Sequence, residues 1–150
     1  MQLRILPLLL ALVATPLAAA GHAHPHDNGL ENRTPIRLTA EEKSQIHLEM
    51  RLFLSTVQLI VNGIAANDMK LVAAAAQEAG MAATHDVPVK LQAKLPLGFK
   101  QLGHATHQGF DDLARDADSL GDANQAMKQL GLVLNNCVSC HSTYRLETRK

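Results

Sequence analysis

The sequence predicts an all-α fold, an antiparallel four-helix bundle in a single domain. Aromatic residues make up only 3% of the 150 residues, whereas sheets draw on aromatic and β-branched side chains. Alanine and leucine, which favour helices, are used instead. Apolar residues recur at helical spacing in four segments. Four helices joined by three connections, one of them long, predict the antiparallel bundle.

The first 20 residues have the features of a secretory signal peptide. Arg4 precedes an apolar run over residues 5–17, and small residues at 18–20 form an A-x-A cleavage site. This run is short for a membrane span, so we expect cleavage after Ala20, with Ala23 as the alternative. We therefore expect an exported, periplasmic protein without a membrane span in its mature form.

Residues 21–38 are predicted to be a flexible leader, because His, Pro, Asn and Gly are mixed there without periodicity. His22, His24 and His26 could bind a metal weakly, although a solvated tail is the reading we favour. The bundle domain then covers residues 39–150.

The first helix is predicted to begin near Ala40, because Thr39 and Glu42 form a capping box. Leu48, Leu52 and Leu59 form a stripe on the side opposite the inner face. Such an apolar patch predicts a homodimer through this helix, or a leader that folds back over it. The predicted inner face comprises Ile46, Met50, Phe53, Leu54, Val57, Ile60, Val61 and Ile64.

Three more helices follow. The second runs from the Asn67-Asp68 cap to Gly80, the third covers 97–118, and the fourth begins after Asp122 and reaches Leu146. Residues 81–96 contain two prolines and form the long connection. The predicted inner faces comprise Phe99, Leu102, Thr106, Phe110, Leu113 and Ala117 in the third helix, and Ala126, Leu130, Leu134 and Cys137 in the fourth.

The only two cysteines lie in the motif Cys137-Val138-Ser139-Cys140-His141. C-x-x-C-H is the attachment signature of c-type haem, in which two thiols add to the vinyl groups of one porphyrin edge and the imidazole ligates the iron. On a helix these side chains lie on adjacent turns, so they can address one flat cofactor.

Other uses of the motif fit less well. A thioredoxin-like dithiol expects a βαβ pattern, and a structural zinc site needs four ligands, whereas the sequence contains no second cysteine pair. A plain disulfide would be strained across one helical turn.

The motif near the carboxyl terminus, the Tyr144-Arg145 pair after it, the four helices and the export signal together resemble the class II c-type cytochromes. This family comprises cytochrome c-prime and its low-spin relatives. Leu95-Pro96 and the stretch 107–113 resemble the low-spin branch. The resemblance covers about residues 39–146. It implies one covalent haem c, held through Cys137 and Cys140, with His141 as the proximal iron ligand.

The resemblance also implies that the residue on the other face of the iron comes from the first helix. That residue is Met in low-spin members and a non-ligating apolar residue in cytochrome c-prime. Met50 lies near the centre of the inner face, and a thioether raises the iron potential, so we expect it to ligate rather than only pack. His47 and His107 are less central alternatives. Arg145 is expected to pair with a haem propionate or cover His141, unless it is a solvated helix end.

The balance of 14 basic and 14 acidic residues argues against a broad surface for nucleic acid. No hydrolytic or group-transfer signature is present, so we do not expect an enzyme. Electron transfer with redox partner proteins is the leading hypothesis. One alternative is a five-coordinate, cytochrome c-prime-like protein that binds NO or CO on a face lined by Phe53, Leu54 and Val57. The other is a non-haem metal-binding helical bundle.

Overall fold

The computed structural model describes residues 31–149, which are mostly helical and include one small two-stranded sheet. The predicted signal over residues 1–20 lies outside the described residues, and so do His22, His24 and His26. In chain order the elements are β1 (Thr34–Leu38), α1 (Ala40–Ala65), α2 (Met69–Glu78), a 3₁₀ helix (Met81–Asp86), α3 (Val89–Gln92), α4 (Leu97–Leu120), α5 (Ala123–Thr143) and β2 (Tyr144–Thr148).

Side-chain caps begin three of the helices, and they confirm the predicted starts. Thr39 Oγ1 accepts a hydrogen bond from the Glu42 amide at 3.3 Å, and the Glu42 carboxylate accepts one from the Thr39 amide at 3.0 Å. Asp68 accepts from the Leu71 amide at 3.0 Å. Asp122 accepts from two amides of the first turn of α5. These caps pair amides that have no partner within the helix.

The main core is shared by α1, α2, α4 and α5. α4 packs against both α2 and α5, and α2 packs against α1. Two glycines allow close approach, because a methyl group at Gly63 or Gly109 would lie 2.7 Å from a side-chain carbon of Val72 or Val133, respectively. The largest wholly buried side chains of this core are Ile60, Val72, Phe110, Leu113, Leu130 and Val133.

A parallel strand pair joins the two ends of the described chain. Thr34 lies opposite Tyr144 and Leu38 opposite Thr148, and the Arg149 amide donates to the Leu38 carbonyl at 2.8 Å. The predicted leader is therefore a strand over its last five residues. The prediction that the fourth helix reaches Leu146 was wrong, because α5 ends at Thr143 and the chain becomes extended.

The strands are held by a second, smaller hydrophobic cluster. Its buried members are Ile36 and Leu38 of β1, Ile46 of α1 and Leu91 of α3. The alternation along β1, with Ile36 and Leu38 buried and Arg37 exposed, is that of a strand with one face inward. The partly buried side chains packed against the cluster are Met50, Val87, Leu95, Phe99, Tyr144 and Leu146.

The leucine stripe of α1 stays on the surface of the single chain. Leu48, Leu52 and Leu59 are 61%, 37% and 43% exposed. The leader residues Ile36 and Leu38 pack into the second cluster instead of over this stripe, so the described part of the leader does not cover it.

Among the described residues, α1 is the one helix long and apolar enough to cross a membrane by length and composition. Core helices of soluble proteins pass the same test. α1 buries Phe53, Thr56 and Ile60, and both apolar members of that trio belong to the main core.

Candidate functional site

A groove of about 670 Å³ brings together the residues that the sequence singled out. Met50 on α1 lines it, as do Cys137, Cys140 and His141 on α5. These two segments lie far apart in the sequence but meet in one concave surface. Apolar side chains dominate the rest of the wall, as expected of a ligand site. They include Phe53, Leu54, Val57, Leu95, Phe99, Leu102 and Leu134.

Both cysteines lie in the last turns of α5, and both are free and half-buried. The Cys137 thiol donates to the Val133 carbonyl at 3.6 Å. Burial raises the pKa of both thiols, and the neighbouring Cys137 raises that of Cys140 further. Reactive dithiols in redox enzymes instead have lowered thiol pKa values, so this microenvironment does not favour dithiol–disulfide chemistry.

Met50 lies at the junction of the two hydrophobic clusters and is half-buried. It packs against the main core on one side and the strand-associated cluster on the other. Its place on the α1 wall of the groove agrees with the inner-face position predicted from the sequence. His47, the other candidate on this helix, is exposed and does not line the groove.

His107 is buried, whereas the helical wheel placed it at the edge of α4. Its Nδ1 lies 2.8 Å from the Ala79 carbonyl and its Nε2 lies 3.2 Å from Glu49 Oε1. The ring centroid lies 5.0 Å from that of Phe53. With both nitrogens partnered, His107 is poorly placed to ligate iron in place of Met50.

The surroundings of His107 favour its protonated form. Burial lowers the pKa of His107, but the Glu49 carboxylate and the carbonyls of Ala79 and Gly80 together outweigh it, so the pKa is raised overall. A protonated ring donates from both nitrogens, which satisfies the carbonyl and the carboxylate at once. Sequence reasoning missed this pair, although Glu49 is the immediate neighbour of Met50.

Arg145 lies on β2 and does not line the groove. It pairs with Glu147, and its Nε donates to the Arg33 carbonyl at 3.3 Å. We expected Arg145 to contact a haem propionate because the predicted helix continued beyond His141 to Leu146. Because α5 ends at Thr143, Arg145 is no longer one helical turn past the histidine.

An arginine and a lysine that the sequence analysis did not single out also line the groove. Arg51 follows Met50 on α1, and Lys100 lies on the first turn of α4. Within residues 31–149, the Arg51 guanidinium and the Lys100 ammonium form no ion pair or side-chain hydrogen bond. The one carboxylate in the lining is that of Glu49, which is bound to His107. The groove therefore combines an apolar wall with cations able to meet carboxylates.

Within residues 31–149, no group of three His, Cys, Asp or Glu side chains is arranged to hold a metal ion. No protein-family model, curated protein or solved structure matches the chain.

Proposed function

We propose that this chain is a periplasmic class II c-type cytochrome that carries one covalent haem c and transfers electrons, with His141 and Met50 as iron ligands. The supporting observation is that Met50 and the Cys137–His141 motif line a single apolar groove. Haem bound there supplies a one-electron iron centre. The residues of the chain hold it, shield it and set its potential.

The donor set and the wall of the groove fit such a cofactor. Two thiols and an imidazole follow one another on the last turns of α5, and a thioether lies on the α1 wall. Leu54 and Leu134, which the sequence predicts to face inward, are 71% and 38% exposed because they line the groove. A flat apolar cofactor would cover these side chains.

Each residue has a distinct role in this proposal. The Cys137 and Cys140 thiols would hold the haem by each adding across one vinyl group, with sulfur bonding to one carbon and the thiol proton going to the other. Arg51 and Lys100 would hold the propionate carboxylates in place of Arg145.

The arrangement of the helices is part of the same proposal. α1 and α2 are separated by residues 66–68, and α4 and α5 by residues 121–122. Helices joined by such short connections run antiparallel in bundles. We therefore propose that α1, α2, α4 and α5 form the antiparallel four-helix bundle, with the 3₁₀ helix and α3 inside its long connection.

A haem stain after denaturing electrophoresis tests the proposal, together with visible spectra of both oxidation states with and without carbon monoxide. We expect covalent haem and a low-spin spectrum that carbon monoxide leaves unchanged. Absence of covalent haem from protein expressed with the c-type maturation machinery would contradict the proposal and favour a non-haem metal-binding bundle.

A five-coordinate protein that binds NO or CO is the second candidate. The observation in its favour is that Met50 packs against both clusters, which is what methionines with a purely packing role do. If Met50 only packs, the iron face lined by Phe53, Leu54 and Val57 is open to gas. A ferrous spectrum that changes fully on addition of carbon monoxide would favour this candidate.

We also propose that two copies associate through the stripe of Leu48, Leu52 and Leu59. A second groove, of about 550 Å³, lies beside this stripe and is lined by Leu48, Leu52, Val87 and Leu91 among others. A symmetric pairing of α1 with itself would cover the exposed leucines. The haem edge would remain the route for exchange with redox partner proteins.

A further inference from the structure

We infer that the parallel strand pair, residues 34–38 and 144–148, is a positioning device that sets His141 and Met50 relative to each other. The inference rests on the proposed function, because it concerns the two proposed iron ligands. It goes further by assigning a role to a segment that the sequence suggested was a flexible leader.

On the α5 side, the strands are tied to the last helical turn at His141 itself. The Arg33 guanidinium donates to the His141 carbonyl at 3.3 Å, and the Arg145 guanidinium donates to the Arg33 carbonyl at 3.3 Å. The Tyr144 amide, the first of β2, donates to the Cys140 carbonyl. The His141 carbonyl is thus bound by Arg33, the residue that precedes β1, and Arg33 is in turn bound by Arg145 of β2.

On the α1 side, the strands are attached close to Met50. β1 ends at Leu38 and Thr39 is the cap of α1, so no linker separates strand from helix. Ile36 and Leu38 are buried together with Ile46, which lies one turn before Met50. Met50 itself packs against this cluster.

The register of the sheet therefore connects the start of α1 with the end of α5. Few other contacts connect these helices, since α1 packs mainly on α2 and α5 packs mainly on α4. A shift of one residue would turn Ile36 and Leu38 out of the cluster. One register is therefore strongly favoured, and with it one separation of Met50 from His141.

Leu38→Ala in the full-length holoprotein tests this role, with Leu113→Ala as the matched control. Both leucines are wholly buried, but Leu113 belongs to the main core and lies outside the groove. Both variants should unfold at lower temperature. Only Leu38→Ala should let carbon monoxide bind the ferrous iron, which the wild type is expected not to do. If both variants lose stability and neither gains carbon monoxide binding, the inference is wrong.

Arg33→Gln provides a second test on a surface residue, for the case that Leu38→Ala does not fold. Arg115→Gln is its control, an exposed arginine of α4 that pairs with Asp112. We expect faster amide hydrogen exchange over residues 141–144 in Arg33→Gln alone, whether or not haem is attached. Unchanged exchange there, with an unchanged haem spectrum, would overturn the inference. A wild type without covalent haem but with the predicted exchange pattern would contradict only the proposed function.

Discussion

Glu49 on α1 and His107 on α4 meet through a 3.2 Å contact between Oε1 and Nε2, beside the residue proposed to ligate iron. The opposite ring nitrogen of His107 contacts the Ala79 carbonyl, next to the end of α2. One buried imidazole thus connects three helical segments. Such a group is costly to bury unless each polar atom is paired.

This pair predicts that stability falls as the pH rises. The folded-state pKa of His107 is raised above its ordinary value of 6.5, so its stabilising contribution is complete below that value. It is lost as the pH rises through the higher folded-state pKa. The temperature of thermal unfolding, measured between pH 5 and pH 9 (about two units to either side of neutrality), reports this loss of stability.

In His107→Gln this part of the pH dependence should disappear, whereas His104→Gln, an exposed histidine of the same helix, should retain it. Equal pH dependence in the wild type and His107→Gln would contradict the prediction.

Cys137→Ala or Cys140→Ala should weaken haem retention, and the double variant should abolish covalent attachment, because each thiol supplies one bond. His141→Ala should remove the proximal ligand and prevent maturation. Acid–acetone extraction followed by absorbance of the protein fraction measures the haem that remains. Ser139→Ala, an exposed position inside the motif, should retain haem fully. Covalent haem in the double cysteine variant would refute the assignment.

Met50→Leu should convert low-spin iron to five-coordinate, high-spin iron that binds carbon monoxide. The volume is nearly conserved, so the free energy of unfolding should fall by less than about 1.5 kcal/mol. Visible spectra with and without carbon monoxide report the change. Met69→Leu is the control, because Met69 is buried in the main core and does not line the groove. An unchanged low-spin spectrum in Met50→Leu would exclude this ligand.

Arg51→Gln and Lys100→Gln should lower the reduction potential, because each removes a cation that offsets the charge of a haem carboxylate. Exposed ion pairs contribute about 0.2–1 kcal/mol in total, and only their difference between the two oxidation states alters the potential, so we expect a fall of at most about 40 mV for each variant. Redox titration measures it. Lys128→Gln, on the exposed surface of α5, should leave the potential unchanged. Equal potentials in all three variants would show that the groove cations do not meet the carboxylates.

Leu52→Glu should shift the protein from dimer to monomer in sedimentation and leave the haem spectrum intact. The physical reason is that a carboxylate in the middle of the stripe cannot be buried unpaired against the partner. Leu120→Glu, an exposed leucine outside the stripe, should remain dimeric. A wild type that sediments as a monomer at high concentration would contradict the dimer.

Local signals in the sequence were sufficient to predict the start of α1 and to single out the Cys137–His141 motif, whose haem chemistry stays a prediction. Thr39 and Glu42 are three residues apart and their hydrogen bonds are both present. The C-x-x-C-H spacing is equally local. The strand pair was not predictable in this way, because the partner of Ile36 is Leu146, at the opposite end of the described chain.

The misplaced site residues have similar causes. His107 can be buried because the Glu49 carboxylate, on a different helix, pairs with its ring. A helical wheel of α4 alone does not include this contact. Arg145 does not lie one helical turn past His141, because α5 ends at Thr143 and Arg145 belongs to the strand that pairs with β1. Leu54, which the helical wheel placed on the inner face of α1, lines the groove and is 71% exposed.

The parallel pairing of β1 with β2 has a consequence for the order of folding. β1 is synthesised among the first described residues and its partner among the last, so the sheet closes the longest loop in the described chain. Contacts of such high sequence separation form late. We therefore expect the helices to associate before the sheet closes, so that the end of α5 stays accessible for the proposed attachment of haem.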